Sequence, residues 1–151
     1  MKLKRTKGGL LDIIRVVENA SAVTAAEAET AGYTPWTLTK ALWQRLKNGE
    51  AITVSDASGP LFVLGHYPDP LRSDNRLLWF IATDGWFELG ATSVRFGRRF
   101  MRELRSAHPR CSFTSVSWSK HPDLCRWFAF QGFVLEERAG EATVFKCARK
   151  G

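Results

Sequence analysis

Three consecutive pieces decide the fold: GATSVRFGRRFMRELRSAHP (Gly90–Pro109), SFTSVSW (Ser112–Trp118) and HPDLCRWFAFQGFVLEE (His121–Glu137). In the first, Val94, Phe96, Gly97, Phe100, Met101 and Leu104 fall on one side at about 100° per residue, which predicts a helix over Ala91–Ala107. The second is a short apolar run of strand character, and the third predicts a helix over Pro122–Gln131 that stops at a glycine and continues into FVLEER. Strand, helix, strand, helix, strand in that order calls for a mixed sheet with helices on both of its faces.

Upstream of these pieces, LLWFIAT (Leu77–Thr83) reads as a strand, preceded by a polar loop over Pro68–Asn75 that contains two prolines. AITVSD and LFVLGHY read as a hairpin around Ala57–Pro60. Thr34 followed by Pro35 is a good helix start, and that helix runs through Leu46 to a stop at Gly49. One long helix is expected from Leu10, through an alanine-rich stretch, to Gly32, after an edge strand in MKLKRTK and the Gly8–Gly9 break. Downstream, TVFKCAR pairs with FVLEER around Ala139–Gly140. The expected order is therefore β, α, α, β, β, β, α, β, α, β, β: one α/β (α+β) domain over 1–151 with a central sheet of about six to seven strands.

Composition bounds what such a domain does. A chain of 151 residues with 44% hydrophobic content buries one core. Cys111, Cys125 and Cys147 are odd in number and widely spaced, so neither a zinc knuckle nor a paired disulfide framework is indicated and they read most simply as reduced core thiols. The run LLDIIRVV contains Asp12 and Arg15 and is too short to cross a bilayer, so a soluble protein made in a cytoplasm, with no membrane partner, is expected. The net charge of +7 favours acidic partners: nucleic acid, phosphorylated cofactors or an acidic protein surface.

That charge is concentrated. Arg95, Arg98, Arg99, Arg102 and Arg105 crowd one face of the Ala91–Ala107 helix with only Glu103 at the border. Like charges at these spacings repel, so an anionic partner for this face is physically reasonable, against the plainer outcome of a solvated surface. Six tryptophans raise the idea of a base-stacking platform, but most sit in apolar runs and read as core. Trp86 and Phe87 are the exceptions, because nothing in the local pattern buries them. His66, His108 and His121 lack metal-ligand spacing, and neither a nucleophile motif nor a carboxylate pair is evident.

The order of elements resembles the GNAT acetyltransferase superfamily across nearly the whole chain, and residues Trp79 to Glu137 carry the likeness. In that family a strand enters a loop of pattern Arg/Gln-x-x-Gly-x-Gly/Ala whose amides hold the coenzyme A diphosphate. The corresponding stretch here is ATDGWFELGATSVRFGRRF, which keeps Gly85, Gly90 and Ala91 but lacks the Arg/Gln and the tight glycine spacing. The family pattern Asn-x-x-Ala-x-x-x-Tyr-x-x-x-Gly-Phe falls on His121–Phe133, where Gly132 and Phe133 fit. His121 replaces the asparagine, Leu124 the alanine, and Phe128 the tyrosine that commonly protonates the departing thiolate. Within the superfamily, LLWF-I-A-T-D, the basic helix, a strand ending S-V-S-W, R-W-F-A-F-Q-G-F-V-L-E-E and the ending FKCARKG resemble the GNAT-like internal virion proteins of short-tailed bacteriophages.

The resemblance implies a virion-associated structural or assembly protein on a degenerate acetyltransferase frame. It would be made in the host cytoplasm and located in the particle, would need no cofactor, and its arginine face would meet other virion proteins, in multiple copies, or packaged DNA. The alternative is an acetyl-CoA-dependent N-acetyltransferase, with Ile81, Ala82 and Thr83 holding the pantetheine arm and Gly90 and Ala91 approaching the diphosphate. A third expectation is a non-specific nucleic-acid-binding module.

Overall fold

The computed structural model describes residues 2–119 and 124–149. In chain order these form β1 (Lys4–Lys7), α1 (Leu10–Glu18), α2 (Ala22–Thr30), α3 (Pro35–Arg45), β2 (Glu50–Asp56), β3 (Gly59–Pro68), β4 (Asn75–Ala82), α4 (Asp84–Glu88), α5 (Ala91–Ala107), β5 (Ser112–Ser117), α6 (Leu124–Phe130), β6 (Val134–Ala139) and β7 (Ala142–Cys147). The strands make one sheet of seven in the order β1-β2-β3-β4-β5-β7-β6. Neighbours are antiparallel except β4 and β5, which run parallel because α4 and α5 carry the chain back across the sheet. The mixed sheet with helices on both faces matches the expectation.

The alternation of side chains along the strands feeds two cores. Trp79 and Ile81 of β4 pack with Ile13, Val16, Val17 and Leu42 of α1 and α3 on one face. Leu78 packs with Phe100, Met101 and Leu104 of α5 and with Phe113, Phe128 and Phe145 on the other. Ala82 joins Phe62 and Trp86 in a third cluster beside them. The helix predicted over Ala91–Ala107 is found at those bounds, with its apolar side inward.

Three local expectations are corrected. The single helix from Leu10 to Gly32 is two helices, broken at Asn19–Ser21, because Ser21 caps α2 by accepting from the Thr24 amide at 3.1 Å. The Ser21 amide meanwhile donates to the Ala82 carbonyl at 2.9 Å, and Ala20 bridges Thr83, so tertiary bonds replace the helical ones. Trp86 is not at an exposed turn: α4 turns it inward until it is only 2% exposed, stacked on Phe62 with centroids 4.1 Å apart. Of the three thiols, Cys147 is buried and Cys111 half-buried, but Cys125 is exposed.

Candidate functional site

Between β4 and β5 the ladder has four pairs, Asn75–Ser112 through Leu78–Ser115, and the strands then part. The Thr83 amide donates to the Leu61 carbonyl, so odd-numbered residues of β4 turn their backbone groups to β3 and even-numbered ones to β5. Ile81 and Thr83 are therefore occupied by β3, and the Ala82 carbonyl by Ser21. Phe80 is the β4 residue whose amide and carbonyl open into the gap beyond the last β5 pair.

On the α2–α3 side the gap widens into a cavity of about 340 Å³, lined by Thr24, Glu27, Tyr33, Arg45, Tyr67 and Trp79 among others. Glu27 lies on the face of α2 that, with Thr24, Ala28 and Ala31, forms one wall. Its Oε1 accepts from the Ser117 hydroxyl at 3.1 Å and from the Trp118 amide at 3.0 Å. Burial holds its carboxyl above the ordinary range, with those two bonds pulling the other way. A carboxylate in this setting is a stronger base than one in water, and it faces a cleft. Glu27 was not legible as a site residue: it sits in an alanine-rich helix, and its partners are 90 and 91 residues away.

At the other end of the cavity Arg45, in the last turn of α3, donates to the Tyr33 hydroxyl at 3.2 Å. Burial raises the neighbouring Tyr67 phenol above its ordinary value, opposed by the Arg45 charge.

The turn from β4 into α5 is where a diphosphate would need free amides. Here the amides of Trp86, Leu89, Gly90, Thr92 and Ser93 donate to the carbonyls of Thr83, Trp86, Phe87, Leu89 and Gly90, so α4 and its exit use these five internally. Asp84 and Glu88 add negative charge to the same turn. Gly90 starts α5 with φ +56°, where a side chain is disfavoured, and Ala91 follows it as the first helical residue. Aromatic rings fill the space beside the turn: Trp86 meets Phe96 edge-on at 5.5 Å, and Trp127 lies against Phe80 at 4.9 Å. Further along, Gly97 of α5 touches the side-chain amide of Gln131, and a Cβ there would overlap it.

Phe128 is 2% exposed and stacks flat on Phe145, centroids 3.9 Å apart and planes at 6°. It is a core residue without a proton to give. His121 lies outside the described residues. Of the arginine face, Arg95, Arg98, Arg99 and Arg102 are exposed or half-exposed, while Arg105 is half-buried with its Nε enclosed and without a hydrogen-bond partner. Arg99 pairs with Glu103 at 3.3 Å, and Glu103 pairs across to Arg5 of β1 at 2.6 Å. Arg95, Arg98 and Arg102 remain at i, i+3 and i+7, a stripe about 10 Å long. Among the described residues no group of three or more His, Cys, Asp or Glu is placed to hold a metal ion, and no helix is long and apolar enough to cross a membrane.

A sheet whose fourth and fifth strands run parallel and part at one end, with helices over both of its faces, has close matches among solved structures. An acetyltransferase from Thermus thermophilus superposes with TM-score 0.68 over 97% of this chain and 96% of its own, at 15% identity. The ribosomal-protein-S18-alanine N-acetyltransferase of Escherichia coli gives 0.68 over 99% and 97%, at 9% identity. This is the GNAT fold. The PaiA N-acetyltransferase of Thermoplasma acidophilum, solved in complex with coenzyme A, matches with TM-score 0.64 over 97% of this chain and 98% of its own, at 11% identity. No protein-family model matches the sequence, and no curated protein matches it.

Proposed function

We propose that this GNAT-fold chain is an N-acyltransferase that moves an acetyl group from a pantetheine thioester to an amine, and the observation that carries the reading is Glu27 facing the parted ends of β4 and β5. The thioester and arm of acetyl-CoA fit the gap, where Phe80 offers an amide and a carbonyl to an extended chain. The turn through α4 suits a nucleotide diphosphate poorly, because five of its amides bond to its own carbonyls and it carries Asp84 and Glu88. When bound, the thioester supplies the activated acetyl carbon.

This chain's own residues do the rest. Burial makes the Glu27 carboxylate a stronger base than one in water, the role it would play toward the amine's proton, and the Ser117 hydroxyl and Trp118 amide hold its Oε1 at the end of β5. The walls from α2 and α3 shape the space beside it that the amine would enter. Phe128 gives no proton, so the thiolate is protonated from solvent. Thiol release from acetyl-CoA and from S-acetylpantetheine, followed against a panel of amines, is the test. Absence of transfer from both donors to every amine sinks the reading.

A second reading is favoured by a different observation, the closed diphosphate turn together with the exposed stripe of Arg95, Arg98 and Arg102. On it the chain is a structural or assembly component of a short-tailed bacteriophage particle, synthesised in the host cytoplasm, and the stripe meets other virion proteins or packaged DNA. Mass spectrometry of purified particles decides it.

A further inference from the structure

Arg5, Arg72 and Arg99 each sit within 4.0 Å of a carboxylate, at 2.6, 3.3 and 3.3 Å. Arg45 does not, although it is half-buried and lines the cavity. Its hydrogen bond goes to the neutral hydroxyl of Tyr33. A guanidinium carries five donors in a planar fork, and a half-buried one facing a cavity with a neutral partner is under-used and costly to desolvate. The ligand chemistry that repays this cost is an oxyanion, carboxylate or phosphate, which takes two parallel N–H bonds at once.

The opposite end of the same cavity holds Glu27. Tyr67, which feels the Arg45 charge, is paired with Leu77, and Leu77 with Thr114, three residues before Ser117, the hydroxyl bonded to Glu27. Three residues of strand span about 10 Å. A cation and a buried carboxyl separated along one cleft are the mirror of a molecule with an anion at one end and an amine at the other.

We propose that the acceptor is a primary amine carrying a carboxylate or phosphate several bonds away, with Arg45 gripping the oxyanion and the amine directed to Glu27. The proposal rests on the acyl-transfer reading for its chemistry, but the binding it asserts is separable from turnover. Arg45 is on this view the residue that sets which amines are accepted, and Tyr33 holds its fork in place.

The test uses matched probes with and without the anion: 6-aminohexanoate against hexylamine, and O-phosphoethanolamine against ethanolamine. Binding to the thioester-free protein is read by calorimetry and ligand-observed NMR. The anionic member of at least one pair binds at least about tenfold more tightly, and whichever pair discriminates tells carboxylate from phosphate. Arg45→Gln erases the preference, Arg45→Lys keeps part of it, and Tyr33→Phe, which removes only a hydroxyl, weakens it with the fold retained. Equal binding within both pairs, no binding of any probe, or a preference that survives Arg45→Gln overturns the proposal. Thiol release is measured in parallel. Arg45-dependent binding without transfer to any amine removes the acyl-transfer reading and leaves the subsite standing. Transfer to hexylamine and 6-aminohexanoate alike does the reverse.

Discussion

The indole of Trp79 packs on the backbone of Gly65 on the neighbouring strand, so closely that a Cβ on Gly65 would overlap it. Trp79 anchors the α1–α3 core and at the same time forms part of the cavity wall. Gly65→Ala therefore forces the indole out of place and costs about 1–3 kcal/mol. Thermal unfolding should show a melting temperature lower by roughly 2–4 °C for each of those kilocalories. An unchanged melting temperature contradicts the packing described.

Glu27→Gln keeps an acceptor for Ser117 and Trp118 and removes the base. Transfer should fall by about 10²–10⁴-fold with folding intact. In the wild type the rate rises with pH through a carboxyl value lifted by burial above the ordinary 4.5, and in the variant that limb vanishes. The stability sign follows. A carboxyl raised in the folded state favours folding at low pH, and that contribution is lost as pH rises through the folded value. The glutamine variant should show no such loss.

If the turn after β4 does not receive a diphosphate, the nucleotide is dispensable. S-acetylpantetheine and acetyl-CoA should bind with affinities within about a factor of three of each other, and adenosine diphosphate should not compete. Competition by the diphosphate at micromolar concentration means that α4 opens to receive it.

Arg98→Glu with Arg102→Glu reverses the exposed stripe without touching the Glu103 pairs. Exposed changes of this kind shift stability by only a few tenths of a kcal/mol. If the stripe meets phosphates or an acidic protein, the variant loses that binding at an unchanged melting temperature. In the wild type, DNA affinity falls steeply with salt. Wild-type behaviour in the double variant marks the stripe as merely solvated.

His66 is buried under the Arg76 guanidinium, whose Nε donates to its Nδ1 at 3.1 Å, with His108 beside it and Glu50 3.7 Å from Nε2. Burial first, then the Arg76 and His108 charges, lowers its value from 6.5 to about 4. The unfolded chain therefore binds the proton more readily, and stability declines as pH falls from about 6.5 to about 4. His66→Asn should flatten that slope in denaturant titrations.

The parts legible in the sequence were those written in local periodicity. The apolar stripe through Phe96, Phe100 and Leu104 set α5 to the residue, and the turn residues around Ala57–Pro60 set the β2–β3 hairpin. What stayed hidden depends on partners far along the chain. Ser21 looks like one more small residue in an alanine-rich helix until Ala82 takes its amide, and Trp86 looks exposed until Phe62 arrives beneath it. Glu27 and Arg45 are ordinary helix residues in one dimension, and only the parting of β4 from β5 brings them to one cavity. That residue 128 is a phenylalanine, with no proton to give, is read from residue type alone.

The four-pair seam between β4 and β5 has a mechanical consequence. Laced at one end and free at the other, the two halves of the sheet form a pair of tongs whose fulcrum is the polar knot of Asn75 with Ser112 and Thr114. Glu27 is the strap across the jaws, clipped to the tip of β5 by two hydrogen bonds. The residue that fastens the tip of β5 to α2 is thus also a residue of the cavity wall.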